Sequence, residues 1–361
     1  MIGVLSSFSR SNTENGVDFG RRTLVVRRRL FGLRIDLRGT IVCSALAALV
    51  IAVALVALAT GSYQLSIGRV ASALTGGETG LIHDIVVKWR LPRVAATVIF
   101  GAALGVSGAM FQSLTRNPLA SPDVIGFSSG SYTGALIVII LVNGSYIQIA
   151  GGALLGGVAT AMLVYVLGWR RGMQGFRLII VGIGVSAMLT SLNTWMMLRA
   201  KLEVAMSAAA WGAGSLNGMS WDQVAIGGAA ITALLLLAGL LSRPMRQMEL
   251  GDDTAASQGV RIAVTRLGLI IVGVALTATV TAASGPIAFI ALAAPQIARR
   301  LARTAGITLA PAAFVGALLL GMADFVAQHV APTPLPVGVI TVMIGGGYLG
   351  WLLSVEARRR L

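Results

Sequence analysis

Side chains that could catalyse a reaction are scarce in this sequence. Charged residues make up 11% of the 361 positions, whereas soluble domains average about 25%. The two histidines, His83 and His329, lie far apart and Cys43 is the single cysteine, so no disulfide or cysteine-based metal site can form within the chain. No nucleophile triad, carboxylate pair or HExxH motif is present. We therefore expect no catalytic residues, no metal site and no enzyme activity.

Neither of the two lysines stands where a nucleotide-binding loop requires one. A P-loop places lysine directly after glycine, where it reaches the phosphates. The two lysines do not meet this requirement, because Lys88 follows Val87 and Lys201 follows Ala200. We expect no cofactor in this chain. If ATP drives the protein, another subunit binds ATP–Mg and hydrolyses it.

One carboxylate, Asp324, lies within an apolar segment. Carboxylates inside a membrane are costly, and they face the bundle interior or a water-filled cavity. A proton-coupled transporter could use such an acid. A single acid near the outer end of a helix is also commonly hydrogen-bonded to a neighbouring helix, and this structural role is the preferred interpretation.

Two arginines, Arg90 and Arg93, bracket Pro92 at the predicted start of a helix. Proline suits the first helical turn, but cations are not favoured there by the helix dipole. Something must therefore compensate them. The alternatives are acidic residues of an external partner, lipid headgroups, or local ion pairs with Asp84.

Two polar connections interrupt the apolar segments on the predicted inner side. In the first, Asn117, Pro118 and Pro122 form a hairpin that ends one helix and starts the next; it either lines a cavity or packs centrally. The second, 242–264, is the longest inner loop. Asp252 or Asp253 could cap a short helix there that starts at Thr254, with Gly259 ending it. Such a helix would offer a rigid contact to a cytosolic partner, whereas the simpler interpretation is an ordinary loop.

The elements that must position these residues are membrane helices. Hydrophobic residues make up 56% of the chain and the mean hydropathy is +0.85, which excludes an ordinary soluble enzyme and a disordered chain. The segments lack strand-like alternation, so helix is the structure that satisfies their backbone in lipid. We predict an all-α bundle of about ten transmembrane helices. They span 41–61, 92–112, 124–142, 147–168, 177–198, 223–241, 266–283, 286–298, 307–327 and 336–354.

The distribution of basic residues predicts the orientation of the bundle. With the N-terminus inside, six of the 28 basic residues fall outside: Arg69, Lys88, Arg90, Arg93, Arg199 and Lys201. The rest fall inside, as the positive-inside rule requires. The net charge of +15 is therefore a topology signal rather than a sign of nucleic-acid binding. We expect a basic cytoplasmic leader (1–40) held against anionic lipid, a membrane domain (41–354) and a cytoplasmic tail (355–361).

Small residues recur inside the predicted spans. The chain has 45 glycines. Gly101, Gly105 and Gly108 follow one another at spacings of four and three, which places them on one face of a helix and allows close helix–helix approach. A second group lies at 151–157. The pattern suits a compact bundle of many helices.

Three stretches of the sequence carry a family resemblance. They are RLPRVAATVIFGAALGVSGAMFQSLTRNPLASPDVIGFSSG at 90–130, GPIAFIALAAPQIARRL at 285–301 and LPVGVITVMIGGGYL at 335–349. Together they resemble the permease subunits of ABC importers for iron siderophores and cobalamin. The stretches FRLIIVGIGVSAML, NTW, AGSLNG and GDDTA are most similar to the ferric-enterobactin branch.

The resemblance implies a function and an assembly. It implies an inner-membrane permease with both termini cytoplasmic, in an ATP-driven importer of a ferric, catecholate-like siderophore. The implied partners are a second permease, homologous or identical, two cytosolic ATP-binding subunits and an external siderophore-binding protein. The alternatives are a proton-coupled transporter that uses Asp324 and a membrane assembly subunit without transport.

The resemblance also implies residue roles. Arg90 and Arg93 match the outer docking arginines of the family. The cytoplasmic constriction falls near Gly175 and Phe176, and Asn117 and Pro118 are assigned to the translocation path. The ATPase-coupling segment, about 249–260, contains Glu249, Asp252, Asp253, Thr254, Ala255 and Gly259.

The sequence departs from the family pattern at two positions. Where relatives usually carry Pro-His, this chain has Pro295-Gln296, so a role that needs a titratable side chain there is not expected. Where some relatives carry a further outer arginine, it has Gln328-His329. Docking would then be asymmetric or rest more on the partner permease.

Overall fold

The computed structural model describes residues 23–28, 31–123, 126–168, 175–304 and 306–360, and it is predominantly helical. Each of the ten predicted spans is occupied by a helix. The helices are α1 (Leu37–Ala59), α2 (Ile67–Leu74), α3 (Leu81–His83), α4 (Leu91–Thr115), α5 (Phe127–Ile137), α6 (Tyr146–Gly168), α7 (Gly175–Arg199), α8 (Leu202–Gly212), α9 (Trp221–Glu249), α10 (Asp252–Ser257), α11 (Ile262–Ser284), α12 (Ile290–Ala302), α13 (Leu309–His329) and α14 (Val337–Arg360).

Seven of the described helices are long and apolar enough to cross a membrane: α1, α4 with the turns before it, α6, α7, α9, α11 and α13. Two π-helical segments extend the α-helices. Asp84–Arg90 joins α3 to α4, and Val138–Val142 continues α5. The predicted all-α bundle is confirmed, with one addition in the leader. There β1 (Thr23–Arg28) pairs antiparallel with β2 (Phe31–Asp36), and Thr23 lies opposite Asp36.

Helix α4 is the centre of the bundle. Most of its residues are buried, and it packs against α9, α11, α12 and α13. The predicted glycine face makes the closest of these approaches: a Cβ on Gly105 would overlap the carbonyl oxygen of Ala312 on α13. Gly108 meets Ala291 on α12 in the same way. Small residues at these positions allow the backbones to touch, so α4, α12 and α13 form one tightly packed unit.

Helices α5 and α12 are short, and the residue directly before each of them has a positive φ. Gly126 precedes α5 with φ 93°, and Phe289 precedes α12 with φ 68°. Neither residue provides a side-chain cap. Gly126 packs beside Gly182 and Ser186 of α7. Since these residues lie seven and eleven positions into α7, at about 1.5 Å rise per residue, α5 begins roughly 10–16 Å from the start of α7.

One predicted boundary is wrong. The segment 242–249, expected as loop, continues α9 despite Pro244; polar and charged residues end the apolar span but do not end a helix. The last helix, α14, runs to Arg360 and so continues into the segment predicted to be a cytoplasmic tail. The start of α9 is fixed by a capping box, in which Ser220 and Gln223 bond each other's backbone N–H groups.

Candidate functional site

Arg93 and Asp324 form a buried ion pair that joins α4 to α13. The Arg93 guanidinium donates from Nε to Oδ2 at 2.9 Å and from Nη2 to Oδ1 at 2.6 Å. The side chains are 15% and 5% exposed. A bidentate pair of this kind is geometrically specific, and it compensates a carboxylate that would otherwise be costly at this depth. The structure thus gives Asp324 a structural partner.

Arg90 is held by backbone carbonyls rather than by a carboxylate. Its Nη1 donates to the carbonyl oxygen of Leu58 at 2.7 Å, and its Nη2 donates to that of Tyr63 at 2.6 Å. These bonds tie the end of α1 to the start of α4. Asp84, the ion-pair partner considered for the arginines, instead accepts from Lys88 at 2.8 Å.

A cavity of about 580 Å³ opens beside these arginines. We call this end of the bundle the outer end, following the predicted topology. Its lining includes three basic side chains (Lys88, Arg90 and Arg93), the carboxylate of Asp324, and the rings of Tyr63, Trp89, Phe325 and His329. His329 is bonded through Nδ1 to the carbonyl of Phe325 at 2.7 Å, and Gln328 donates to Asn217 at 3.0 Å. Because Arg93 pairs with Asp324 and Lys88 pairs with Asp84, Arg90 is the basic side chain of this lining whose described bonds are all to carbonyl oxygens.

At the opposite, inner end, Asp252 links three helices. Its Oδ1 accepts from Arg116 and its Oδ2 accepts from Arg266, both at 2.7 Å. Arg116 adopts a left-handed conformation (φ 51°) at the end of α4 and also donates to the carbonyl of Met248. Glu249 accepts from Ser113 at 2.7 Å. The predicted coupling segment is thereby bonded to the inner ends of α4 and α11.

The short helix α10 has the predicted form but a different start. Neither aspartate caps it. Gly251 is the N-cap and has no side chain with which to form a cap bond. Asp252 is already the first residue of the helix, and its carboxylate binds the two arginines. At the other end, Gly259 has φ 86°. Its N–H bonds to the carbonyl of Ala256, and the N–H of Val260 bonds to that of Ala255, which is a Schellman ending.

The two faces of α10 differ in exposure. Ala255 is fully buried in the main core, so the helix is anchored. Asp253, Thr254 and Gly259 are exposed. One face of α10 is therefore anchored in the core, and the opposite face is exposed on the surface of the described chain.

A buried amide network joins α4, α12 and the turn after α4. Gln296 Nε2 donates to the carbonyl of Pro118 at 2.7 Å and to Gln112 Oε1 at 3.1 Å. Gln112 Nε2 in turn donates to the carbonyl of Leu292 at 2.9 Å. Asn117 closes the turn by accepting from the N–H of Leu119 at 2.9 Å. The glutamine that departs from the family pattern thus uses both of its amide N–H groups in this network.

Gly175 and Phe176 begin α7, and their side chains lie outside the described residues. No group of His, Cys, Asp or Glu that could hold a metal occurs among the residues described.

Sequence reasoning missed the partners that complete the inner cluster. Arg116 and Arg266 are two of the basic residues on the predicted inner side, and Arg266 lies 14 residues beyond Asp252 in sequence. Ser113 and Gln112 were also overlooked. The usable signal for Arg116 was its place directly before Asn117-Pro118, where a helix must end.

The known proteins that this chain resembles are permease proteins of transport systems. The family model described as the FecCD transport family matches residues 49–355. The chain is 49% identical to the ferric enterobactin transport system permease protein FepG of Escherichia coli (strain K12), over 84% of this chain and 92% of that protein. It is 34% identical to the achromobactin transport system permease protein CbrC of Dickeya dadantii (strain 3937), over 91% and 96%.

A solved structure shows the same architecture. It is described as an inward-facing conformation of a metal-chelate type ABC transporter. The TM-score is 0.76 at 26% identity, covering 88% of this chain and 99% of that one.

Proposed function

Because this chain belongs to the FecCD transport family, we propose that it is the permease subunit of an ATP-driven importer that carries ferric siderophores across the inner membrane. The family match over 307 of 361 residues carries this proposal. The bundle described above supports it, since its fold matches that of a metal-chelate transporter. The siderophore already holds the iron, so the permease needs no metal ligands of its own.

The proposed substrate is a catecholate siderophore similar to ferric enterobactin. The 49% identity to an enterobactin permease over most of both chains supports this choice. In the proposed assembly, a second permease completes the path and two cytosolic subunits bind ATP–Mg. Both termini of the chain are cytoplasmic.

The coupling role belongs to the segment from Glu249 to Gly259. An ATPase subunit would press on the exposed face of α10, and the ion pairs of Asp252 would pass the displacement to α4 and α11. Two discrete arrangements of these helices would then alternate access to the path. The constriction at Gly175 and Phe176 and the turn at Asn117-Pro118 remain the proposed inner gate.

Reconstitution tests the function directly. Proteoliposomes are made with this chain, its partner permease, the ATPase subunits and the binding protein, and uptake of radio-iron-labelled ferric enterobactin is measured. We expect uptake that needs ATP and the binding protein. Uptake that persists with a hydrolysis-deficient ATPase subunit would contradict the proposal.

Docking of the binding protein is assigned chiefly to Arg90. Arg93 is occupied by Asp324, whereas Arg90 contacts only carbonyls among its described bonds. We expect Arg90→Glu to weaken binding-protein affinity by about tenfold at low ionic strength, where screening is weakest.

Two variants control that measurement. Arg90→Lys keeps the charge and should retain most of the affinity. Arg69→Glu reverses an exposed arginine on α2 that lies 4.0 Å from Glu78 and should have little effect. Equal affinity of Arg90→Glu and the parent at low salt would remove Arg90 from the docking surface.

A further inference from the structure

A large cavity opens at the inner end of the bundle, between α1, α9 and the turn that joins α12 to α13. Its volume is about 970 Å³, near the upper end of the range for ligand sites, about 300–1,000 Å³. The first turns of α1, the segment 239–246 of α9 and residues between 302 and 311 form its walls. The cavity shares no lining residue with the outer cavity beside Arg90, and the functional clusters described above do not use it.

The cavity lies at the level where the membrane meets the cytoplasm in the predicted topology. The predicted spans that correspond to α1, α9 and α13 start at 41, end at 241 and start at 307. Lining residues flank each of these three boundaries: Thr40 and Cys43, Gly239 and Ser242, Gly306 and Thr308. The cavity therefore lies at the depth of the lipid headgroups, next to the hydrocarbon core.

Two arginines of α9 give the cavity its charge. Arg243 and Arg246 are three positions apart, which places them on one face of the helix, and both line the cavity. Arg246 Nε donates to the carbonyl of Ser242 at 3.3 Å. Within the part of the chain that the structure describes, neither guanidinium has a carboxylate partner, and the lining contains no acidic residue.

The carboxylate of Glu249 does not serve these arginines. It lies close to Gly306 in the cavity wall, but its Oε1 accepts from Ser113 and it lines the neighbouring pocket beside α4. The guanidinium donors are thus left for an anion. Arginine binds phosphate well, because its planar fork can donate two parallel N–H···O bonds.

The cavity continues into an exposed apolar helix surface. Its other lining residues are small, apolar or hydroxyl-bearing. On α9, Leu236 and Leu240 precede Arg243 by seven and three positions, so they extend its face toward the middle of the membrane. These leucines are 69% and 76% exposed, and Ile41 on α1 is 60% exposed. An occupant therefore meets cationic donors at headgroup depth and apolar side chains directly beyond them.

We propose that this cavity binds one anionic phospholipid of the inner leaflet, with its phosphate on Arg243 and Arg246 and its acyl chains along Leu236 and Leu240. A soluble phosphate would use the arginines alone. A zwitterionic lipid would bring an ammonium group for which the lining has no carboxylate. Basic pockets between membrane helices on the cytoplasmic side are suited to anionic headgroups. The site is additional to the transport function proposed above.

Native mass spectrometry of the complete, detergent-purified transporter tests the headgroup contact. Phosphatidylglycerol and phosphatidylcholine with the same acyl chains are titrated in, and the affinity for the first lipid bound is measured. We expect Arg243→Gln/Arg246→Gln to lower the phosphatidylglycerol affinity by roughly tenfold to thirtyfold and to leave the phosphatidylcholine affinity nearly unchanged. Arg243→Lys/Arg246→Lys keeps both charges and should retain most of the affinity. Arg261→Gln/Arg299→Gln removes two exposed inner arginines outside the cavity and should match the parent.

The single cysteine of the chain reports on the cavity without any substitution. Cys43 lines the cavity, so a lipid bound there should shield its thiol. We expect phosphatidylglycerol to slow the alkylation of Cys43 by N-ethylmaleimide, whereas phosphatidylcholine and soluble glycerol phosphate should not. The control Cys43→Ser/Ser44→Cys moves the thiol to an exposed neighbouring position outside the lining. Its alkylation should proceed at the same rate in either lipid.

Three results would overturn the inference. Equal phosphatidylglycerol affinity of the parent and Arg243→Gln/Arg246→Gln would show that the arginines do not hold the headgroup. Equal shielding of Cys43 by glycerol phosphate would show that the site takes a free anion rather than a lipid. A Cys43 thiol that stays unreactive in both lipids would show that the leader or another subunit covers the cavity. All three readouts are independent of uptake, so they stand apart from the reconstitution assay of the proposed function.

Discussion

At the residue scale, the buried pair of Arg93 and Asp324 shows what a single sequence can and cannot predict. The high cost of a carboxylate in an apolar segment predicted that Asp324 would need a partner. The two residues are 231 positions apart, so their pairing follows only from the packing of α4 on α13. Arg93 was assigned to docking, and its bonds in the folded chain point first to this internal role.

We expect Asp324→Asn to destabilise the protein by about 3–5 kcal/mol, because it leaves the Arg93 charge buried without compensation. Thermal unfolding of the purified protein measures this. The double variant Arg93→Met/Asp324→Leu removes both charges and should unfold close to the parent. If the single and double variants unfold at the same temperature, the pair is not the source of the effect.

At the element scale, the small-residue spacing predicted close helix contacts, and the structure identifies the partners. The depth at which α5 and α12 begin could not be predicted, because an apolar run has the same composition wherever its helix starts. The continuation of α9 through 242–249 was missed since the prediction followed hydropathy, whereas the backbone needs only helix-compatible residues.

Gly105→Ala should destabilise the bundle by at least about 1–3 kcal/mol, since the added methyl overlaps backbone of α13 that cannot move aside. Gly151→Ala on α6 is the matched control, because its Cβ would have open space. Alanine is the better helix former, so the control should be neutral or stabilising. Equal unfolding temperatures for the two variants would contradict the assigned α4–α13 contact.

The link through Asp252 also belongs to the element scale. We expect Asp252→Asn to lower the iron chelate taken up per ATP hydrolysed by roughly threefold or more, because the ties from α10 to Arg116 and Arg266 weaken. Asp222→Asn, a charge removal at the opposite end of α9, should leave this ratio near that of the parent. A normal ratio in Asp252→Asn would assign coupling to other contacts.

At the scale of the whole molecule, the positions of the basic residues predict the orientation of the bundle in the membrane. In a Cys43→Ser background, Leu81→Cys and Ser257→Cys place thiols on exposed residues at the outer and inner ends. We expect an impermeant reagent to label 81 in right-side-out vesicles and 257 in inverted ones. The reverse pattern would invert the topology and exchange the docking and coupling ends.

The glycine contacts of α4 have a mechanical consequence. Backbone packed directly on backbone leaves no flexible side chains to absorb rotation or sliding between helices. Helices α4, α12 and α13 should therefore move as one rigid body during a transport cycle. Any rearrangement that opens the path must then occur where this body meets the rest of the chain. The ion pair between Asp252 and Arg116 connects α10 to this body.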